Sequence, residues 1–339
     1  MTRLKRPATN TPPFTKRNIA APPLRAALRL FAVTLALAAS ADAISLASLR
    51  INNRAAQPAA SANLPFSQDD ANRARALANE LCRKHTPRDG GTVQGLQAAE
   101  WIAHKLLASN IDADMHYFRD ATPEGEKTFC NVTCSIPAAN SPERCAWVVL
   151  ISHFDTKPGI GRGFTGANDG ASTTALMLTI AEKLAASPLE NFNVLCLWTD
   201  GEECRRKYAP HDGFHGARHA VHALNLLDMP VAAAIGLDML GDADLHIEIP
   251  SNGTPHLKNL AVAAARKIGE PNLLTLASER VRDDFSIFLD AGIPAIDLID
   301  FDYGPDNSWW HTPADTMAHV SANSLFRAGN LVLAILAQL

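Results

Sequence analysis

The chain has 339 residues, of which 47 % are hydrophobic and 19 % are charged, and its formal net charge is −4. This composition is that of a globular protein with enough apolar residues for a sizeable core. The small negative charge argues against binding to nucleic acid or to anionic lipid, because both need a basic face. Aromatic residues make up only 6 % of the chain, which also disfavours a surface on which bases stack.

The first 43 residues have the pattern of an export signal. Seven Lys and Arg residues lie between Arg3 and Arg29 with no acidic residue among them, and an apolar run follows at residues 30–41. Small residues at positions 39–43 offer cleavage sites. We therefore predict a signal peptide at residues 1–43 and an exported protein, periplasmic or secreted. An uncleaved N-terminal anchor is the alternative, although the run is shorter than the ~20 residues that span a bilayer. No other lipid binding is expected.

Residues 44–68 are rich in Ala, Ser, Asn and Pro, which is typical of a flexible linker. Beyond them, helical spacing of apolar residues alternates with short apolar runs of strand length. In chain order the pattern predicts helices at 68–84 and 94–109, strands at 111–118, 128–136 and 146–151, a helix at 171–186, a strand at 193–198, a helix at 216–226, a strand at 231–237, helices at 256–268 and 282–291, a strand at 295–299 and a helix at 321–337.

Fully apolar strands that are separated by helices indicate an α/β fold with a mostly parallel central sheet and helices on both faces. We predict one catalytic domain over residues 69–339. In such sheets, ligands bind beyond the carboxyl ends of the strands. Polar residues do collect after the predicted strands or before the helix that follows: His153, Asp155, Asp169, Asp200, Glu202, Glu203, Asp238 and His311.

Each of these residues alone has an ordinary explanation. Asp169 is suited to cap the helix that follows it, and His311 could be a histidine of the core. Together, however, the set consists of the side chains that zinc prefers as ligands. Two adjacent acids, Glu202 and Glu203, also suit metal chemistry, because one can bind the ion while the other moves protons.

Six cysteines follow the predicted signal, and an even number in an exported protein permits disulfides. A local bridge among Cys130, Cys134 and Cys145 is one arrangement, but the sequence leaves the connectivity open. The chain has no CxxC pair, which disfavours a structural zinc knuckle.

With these motifs in place, the chain resembles peptidase family M28 over roughly residues 70–339. This family of zinc metallopeptidases includes bacterial aminopeptidases and the glutaminyl-peptide cyclotransferases. The resemblance is carried by five motifs: His153-x-Asp155, Gly166-Ala-Asn-Asp169-Gly, Asp200-Gly-Glu-Glu203, Asp238-Met-Leu-Gly241 and Trp310-His311-Thr312.

The resemblance implies a role for each matching residue. Asp169, Glu203 and His311 match the zinc ligands, and Glu202 matches the general acid and base. In the two-metal aminopeptidases, His153 and Asp238 match the ligands of a second ion, with Asp169 as the bridging carboxylate. In the cyclotransferases the same positions are kept but one zinc is bound. We expect one zinc here, with two as the alternative.

Further stretches resemble the cyclotransferases more closely. The segment from Tyr208 to His219 is similar to the one that follows their Glu-Glu pair. Asp283-Asp284 resembles their acidic pair near the substrate, and Trp310 matches a tryptophan of their pocket. The chain departs from them at Arg282, where eukaryotic members have Gln, and at Phe285, where many members have His.

The resemblance therefore implies an enzyme that acts on the N-termini of peptides or proteins. The favoured reaction converts N-terminal Gln to pyroglutamate with release of ammonia, with Asp238 and Asp283 supporting Glu202. Tyr208, Asp284 and Trp310 are expected to line the substrate pocket. The first alternative is an aminopeptidase, in which water attacks the first peptide bond. A catalytically silent binding domain is less favoured, because every ligand position holds a competent residue.

Overall fold

The computed structural model describes residues 65–339. The predicted signal peptide and the predicted linker up to residue 64 lie outside the described residues. Phe66 is only 1 % exposed, and the side chain of Ser67 caps the first helix. The folded region therefore begins before the predicted linker boundary at residue 68.

Fifteen α-helices and β-strands follow one another in the described part of the chain. They are the helices α1 (Gln68–Lys84) and α2 (Val93–Ala108), the strands β1 (Asp114–Thr122), β2 (Gly125–Ile136) and β3 (Ala146–His153), helix α3 (Thr173–Ala186), strand β4 (Phe192–Thr199), helix α4 (His215–Leu226), strands β5 (Val231–Asp238) and β6 (Ile247–Ile249), helix α5 (Pro255–Lys267), strand β7 (Leu274–Leu276), helix α6 (Asp284–Asp290), strand β8 (Ala295–Ile299) and helix α7 (Ala322–Leu336).

The strands form one eight-stranded sheet in the order β1-β2-β4-β3-β5-β8-β6-β7. The four central strands, β4, β3, β5 and β8, run parallel to one another. Strands β1 and β2 pair antiparallel on one side, and β6 joins β8 antiparallel on the other. The predicted mostly parallel α/β sheet is confirmed.

Helices cover both faces of the sheet. Along β3, Val148 and Leu150 belong to one core cluster, which includes residues of α1, α2, α3, α5 and α7. Their neighbours Val149 and Ile151 belong to the other cluster, which includes residues of α4 and α6. Because successive strand residues point to opposite faces, a strand that is buried on both sides must be apolar throughout, as β3 is.

Every predicted element is present, but several boundaries differ. Strand β1 begins at Asp114 rather than at 111 and extends to Thr122. Helix α3 begins at Thr173, two residues later than predicted, because Asp169 and Gly170 have non-helical backbone angles. Helix α6 begins at Asp284, after Asp283 at the cap position. The short strands β6 and β7 were not predicted.

Within residues 65–339, no helix is both long enough and apolar enough to cross a membrane.

The six cysteines are all unlinked in this structure. Cys130 and Cys134 lie four residues apart on the extended strand β2, which separates their Cα atoms by about 13 Å. A disulfide needs Cα atoms within about 7 Å, so a local bridge between these two residues is excluded.

Candidate metal centre

Three of the predicted zinc ligands meet at the carboxyl edge of the parallel strands. Nε2 of His311 lies 2.9 Å from Oε1 of Glu203 and 3.2 Å from Oδ2 of Asp169. The ligand atoms of the three residues all lie within 4.8 Å of one another. Glu203 follows β4, Asp169 precedes α3, and His311 lies in the loop after β8, so the fold brings together residues that are up to 142 positions apart (169 to 311).

The chemistry of this group fits a zinc ion. Two carboxylates and an imidazole are ligands that zinc takes in catalytic sites. Apart from its 3.2 Å contact with Nε2 of His311, the buried Oδ2 of Asp169 has no hydrogen-bond partner among the described residues, although burying such an oxygen is costly unless something binds it. Burial by itself lowers the pKa of His311, but the two carboxylates outweigh it and raise that pKa to about 9. The group therefore favours a cation.

A second group shares Asp169 with the first. Nε2 of His153 lies 3.2 Å from Oδ1 of Asp169 and 3.3 Å from Oδ1 of Asp238, and these three residues also satisfy the spacing of a metal site. The structure thus places Asp169 between the two groups, where a bridging carboxylate would lie. Burial raises the pKa of Asp238 to about 7.

The turn that carries Asp169 is stabilised by hydrogen bonds to Asp315. Its carboxylate accepts hydrogen bonds from the backbone N–H groups of Asn168, at 2.8 Å, and Asp169, at 3.2 Å, and from the hydroxyl of Tyr303, at 2.8 Å. Gly170, the next residue, has φ +94°, and a Cβ there would lie 2.9 Å from a backbone oxygen. Glycine is therefore required at this position.

Arg88 stabilises the start of the same loop, and no sequence pattern indicated this role. This fully buried side chain donates hydrogen bonds to the carbonyl oxygens of Phe154, at 2.5 Å, Thr165, at 2.8 Å, and Gly166, at 2.7 Å. A guanidinium group presents its donors in a rigid planar fork. Arg88 therefore ties the chain after β3 to the chain that leads into Asp169.

The Glu202-Glu203 pair is positioned by Asp155. Oδ1 and Oδ2 of Asp155 accept hydrogen bonds from the backbone N–H groups of Glu202, at 3.1 Å, and Glu203, at 3.2 Å. Glu202 itself is buried, and its pKa is raised well above the ordinary value, first by burial and then by the charges of Glu203 and Asp283. A carboxyl group with a raised pKa can serve both as a base and as an acid.

The residues expected to line a pocket lie around this pair. The hydroxyl of Tyr208 lies 3.4 Å from Oε2 of Glu202 and 3.3 Å from Oε2 of Glu203. The ring of Trp310 stacks on that of His311, with centroids 4.1 Å apart. Both aromatic side chains are therefore next to the ligand group.

Asp283 and Asp284, the acidic pair at the start of α6, are both buried, and the charge of Asp283 acts on Glu202. Asp283 caps the helix by accepting a hydrogen bond from the N–H of Asp284. The carboxylate of Asp284 accepts a hydrogen bond of 2.5 Å from the hydroxyl of Thr199, at the end of β4. Burial, and then the charge of Asp283, raises the pKa of Asp284 to about 8.

Two further charged residues at the site were not predicted. Lys157, in the loop after β3, donates hydrogen bonds to Oε2 of Glu203, at 3.1 Å, and to Sγ of Cys204, at 3.0 Å. Asp297 is fully buried in the middle of β8, and neither of its carboxyl oxygens has a hydrogen-bond partner among the described residues. A lone carboxyl group in an otherwise apolar strand was a signal that could have identified Asp297.

Comparison with known proteins places this site in a family. The model of peptidase family M28 matches residues 131–336. The glutaminyl-peptide cyclotransferase of Drosophila melanogaster is 27 % identical over 260 residues, which are 68 % of this chain and 70 % of that protein. The glutaminyl-peptide cyclotransferase-like protein of Mus musculus is 24 % identical over 286 residues, which are 74 % of this chain and 72 % of that protein.

Solved structures show the same fold. A glutaminyl cyclase from an Acidobacteriales bacterium superposes with a TM-score of 0.74 and 28 % identity, covering 84 % of this chain and 99 % of that one. A leucine aminopeptidase precursor from Bacteroides thetaiotaomicron gives a TM-score of 0.72 at 22 % identity, covering 82 % and 99 % of the two chains. The fold alone therefore does not separate a cyclase from an aminopeptidase.

Proposed function

Because the chain belongs to peptidase family M28, we propose that this enzyme is a zinc-dependent glutaminyl-peptide cyclotransferase. It would convert the N-terminal Gln of a peptide or protein into pyroglutamate and release ammonia. The cyclotransferases among its relatives support this reaction. The buried carboxyl group of Glu202, whose pKa is raised in part by the charge of Asp283, carries the acid–base part of the proposal. The preference for cyclisation over hydrolysis rests on these relatives and on the resemblance of the Tyr208 to His219 segment to the cyclotransferases.

The residues at the site have complementary tasks in this reaction. Asp169, Glu203 and His311 would hold one zinc ion, which when bound supplies Lewis-acid polarisation of a carbonyl group. Glu202 would accept a proton from the α-amine as the nitrogen attacks the side-chain carbonyl carbon of Gln. It would then donate a proton to the departing ammonia. The raised pKa of Glu202 supports both steps.

The neighbouring acids would keep Glu202 and the amine in place. Asp238 and Asp283 both lie close enough for their charges to affect the buried carboxyl groups around them. A cationic α-amine that enters this acidic pocket would gain favourable interactions. We assign Asp238 and Asp283 as supporting catalytic residues on this basis.

The substrate pocket must exclude water, because water would compete with the internal amine. Tyr208 and Trp310 are the aromatic side chains next to the ligand group, and we propose that they wall the pocket with Asp284. Closing a site in this way also strengthens the electrostatic interactions inside it.

An aminopeptidase is the second candidate function, and one observation favours it. His153, Asp169 and Asp238 form a complete second ligand group next to the first. Two ions at such a site would suit hydrolysis, in which Glu202 deprotonates a water molecule that attacks the first peptide bond. The metal count and the reaction product therefore separate the two functions.

We also propose that the protein is exported, with residues 1–43 as its signal peptide, and that its single catalytic domain includes Phe66 and Ser67, ahead of the predicted start at residue 69, and extends to residue 339. The basic start and the apolar run of the first 43 residues support this proposal. N-terminal sequencing of the protein from the periplasm or medium tests it, since a mature N-terminus near residue 44 is expected.

An assay with two substrates tests the proposed activity. The zinc-loaded protein is incubated with a peptide that begins with Gln and with one that begins with Leu. A cyclase shows loss of ammonia from the first peptide and leaves the second intact. Release of free leucine would establish the aminopeptidase instead. Glu202→Gln should be inactive on both substrates and serves as the control.

A further inference from the structure

Two buried cysteines face each other across neighbouring strands of the sheet. Strands β2 and β4 pair antiparallel, and Cys134 is the register partner of Cys196. Directly opposed residues of an antiparallel pair have Cα atoms about 4.5–5.5 Å apart. This separation falls inside the range of about 4.4–6.8 Å that disulfides adopt. The backbone therefore already holds the two residues at bridging distance.

The two side chains lie on the same face of the sheet. Both belong to the core cluster that includes residues of α1, α2 and α3, and their exposed fractions are 1 % for Cys134 and 0 % for Cys196. The pKa of Cys134 is raised, first by a hydrogen bond with the thiol of Cys196 and then by burial. The two buried side chains are therefore opposed on one face of the sheet, and each lies in the immediate surroundings of the other.

We propose that Cys134 and Cys196 form a cross-strand disulfide in the exported protein. Two S–H bonds break and one Sγ–Sγ bond forms. The two electrons and two protons pass to a disulfide oxidant, such as a protein disulfide or oxidised glutathione, which is reduced to two thiols.

The contacts of the other four cysteines are with residues other than cysteine. Sγ of Cys145 donates hydrogen bonds to the carbonyl oxygens of Asn140 and Ser141. Cys82 lies against the carbonyl of Thr165, and Cys204 lies against Lys157. Cys130 is on the same strand as Cys134, four positions away. Of the six cysteines, only Cys134 and Cys196 are register partners in the sheet.

The bond should form during folding rather than afterwards. Buried thiols with a raised pKa react slowly, because the thiolate is the reactive form and exchange needs access. Once formed, the bond would tie β2 to β4, the strand that leads into Glu202 and Glu203. It would close a loop of 63 residues, from Cys134 to Cys196, and raise the melting temperature by about 5–15 °C.

Refolding in a redox buffer tests the proposal, and the test does not depend on the proposed activity. The full chain is reduced, unfolded, and refolded with a mixture of reduced and oxidised glutathione. Free thiols are then alkylated in denaturant, and the protein is digested without reduction. The expected product is a linked peptide that contains Cys134 and Cys196, with four of the six cysteines alkylated.

Matched variants make the outcome specific. Cys134→Ala and Cys196→Ala should each lose the linked peptide and the rise in melting temperature. Cys130→Ala, which also removes a buried thiol from β2, should keep both. Six alkylated cysteines after oxidative refolding of the wild-type protein, or a bond between any other pair, would overturn the proposal.

Discussion

The two carboxylate oxygens of Glu203 face different partners: Oε2 accepts a hydrogen bond of 3.1 Å from Nζ of Lys157, while Oε1 lies 2.9 Å from Nε2 of His311. The ammonium group of Lys157 therefore binds one oxygen of Glu203, and the other oxygen lies next to His311 in the metal-ligand group. Burial by itself lowers the pKa of Lys157, but the charge of Glu203 and the interaction with Cys204 outweigh burial and raise that pKa. Lys157 thus remains charged and acts on Glu203 as a positioning residue.

Replacing Lys157 by Met should remove the charged partner of Oε2 of Glu203, leave that oxygen with the Tyr208 hydroxyl at 3.3 Å, and disturb the orientation of the carboxylate. Loss of such an outer partner typically costs about 10–100-fold in metal affinity or activity. We expect kcat to fall in this range, as measured with an N-terminal Gln peptide at saturating zinc. Lys84→Met, on the exposed face of α1, is the matched control. Wild-type turnover of Lys157→Met would contradict this role.

Asp155→Asn should impair turnover without unfolding the protein. An amide has only one oxygen, so one of the two hydrogen bonds to the backbone of Glu202 and Glu203 must be lost. A fall in kcat of about 10-fold or more is expected, since small displacements of catalytic groups are costly. The circular dichroism spectrum should be unchanged. An Asp155→Asn enzyme with full activity would show that the Glu pair is held in place by other contacts.

The two ligand groups make different predictions for metal content. On the cyclase proposal, the wild-type protein binds one zinc, His311→Ala loses it, and His153→Ala retains it. Elemental analysis after dialysis against a weak chelator measures the stoichiometry. A wild-type content of two ions, reduced to one in His153→Ala, would instead support the aminopeptidase.

Arg88→Lys should destabilise the fold, because an ammonium group cannot reach the three carbonyl oxygens that the guanidinium contacts. Buried acceptors without partners cost about 1–3 kcal/mol each. We expect the free energy of unfolding to fall by about 2–4 kcal/mol in urea titrations. Arg83→Lys, on the exposed face of α1, should change it by less than about 0.5 kcal/mol.

Glu80 should contribute a pH-dependent part of the stability. Burial by itself raises its pKa, but hydrogen bonds from Lys105, Lys84 and Trp101 outweigh it and lower the pKa from 4.5 to about 2. A carboxyl group with a depressed pKa stabilises the fold above its unfolded pKa, and this contribution is lost as the pH falls through the folded value.

The matching experiment compares the wild-type protein with Glu80→Gln by denaturant titration at several pH values. The wild-type protein should be more stable at pH 6, by no more than about 1 kcal/mol because the ion pairs are partly exposed. The difference should shrink as the pH is lowered from about 4.5 toward about 2. A difference that is independent of pH would show that Glu80 acts through packing alone.

The sequence predicted the parts of the fold that have a local pattern. The apolar runs of β3, β4 and β5 are long enough to be recognised, and the residues that follow them, such as Glu203, lie at the site as expected. Strands β6 and β7 have three residues each, which is too short for a periodic pattern to emerge.

The supporting residues of the site have no local pattern either. Arg88 contacts carbonyl groups 66–78 positions away, and Asp315 contacts backbone groups 146–147 positions away. Such contacts depend on the register of distant loops rather than on neighbouring residues. Cys134 and Cys196 likewise lie opposite each other because of the strand order, in which β2 pairs with β4 and not with β3.

In the proposed cyclotransferase reaction an internal amine, and not water, attacks the side-chain carbonyl carbon of the substrate. The most direct test is to incubate the enzyme with an N-terminal Gln peptide in water labelled with oxygen-18 and to measure the mass of the product by mass spectrometry. We predict a product that is lighter than the substrate by one ammonia and carries no heavy oxygen. Release of free glutamine, with heavy oxygen in its new carboxyl group, would contradict the cyclotransferase and establish hydrolysis.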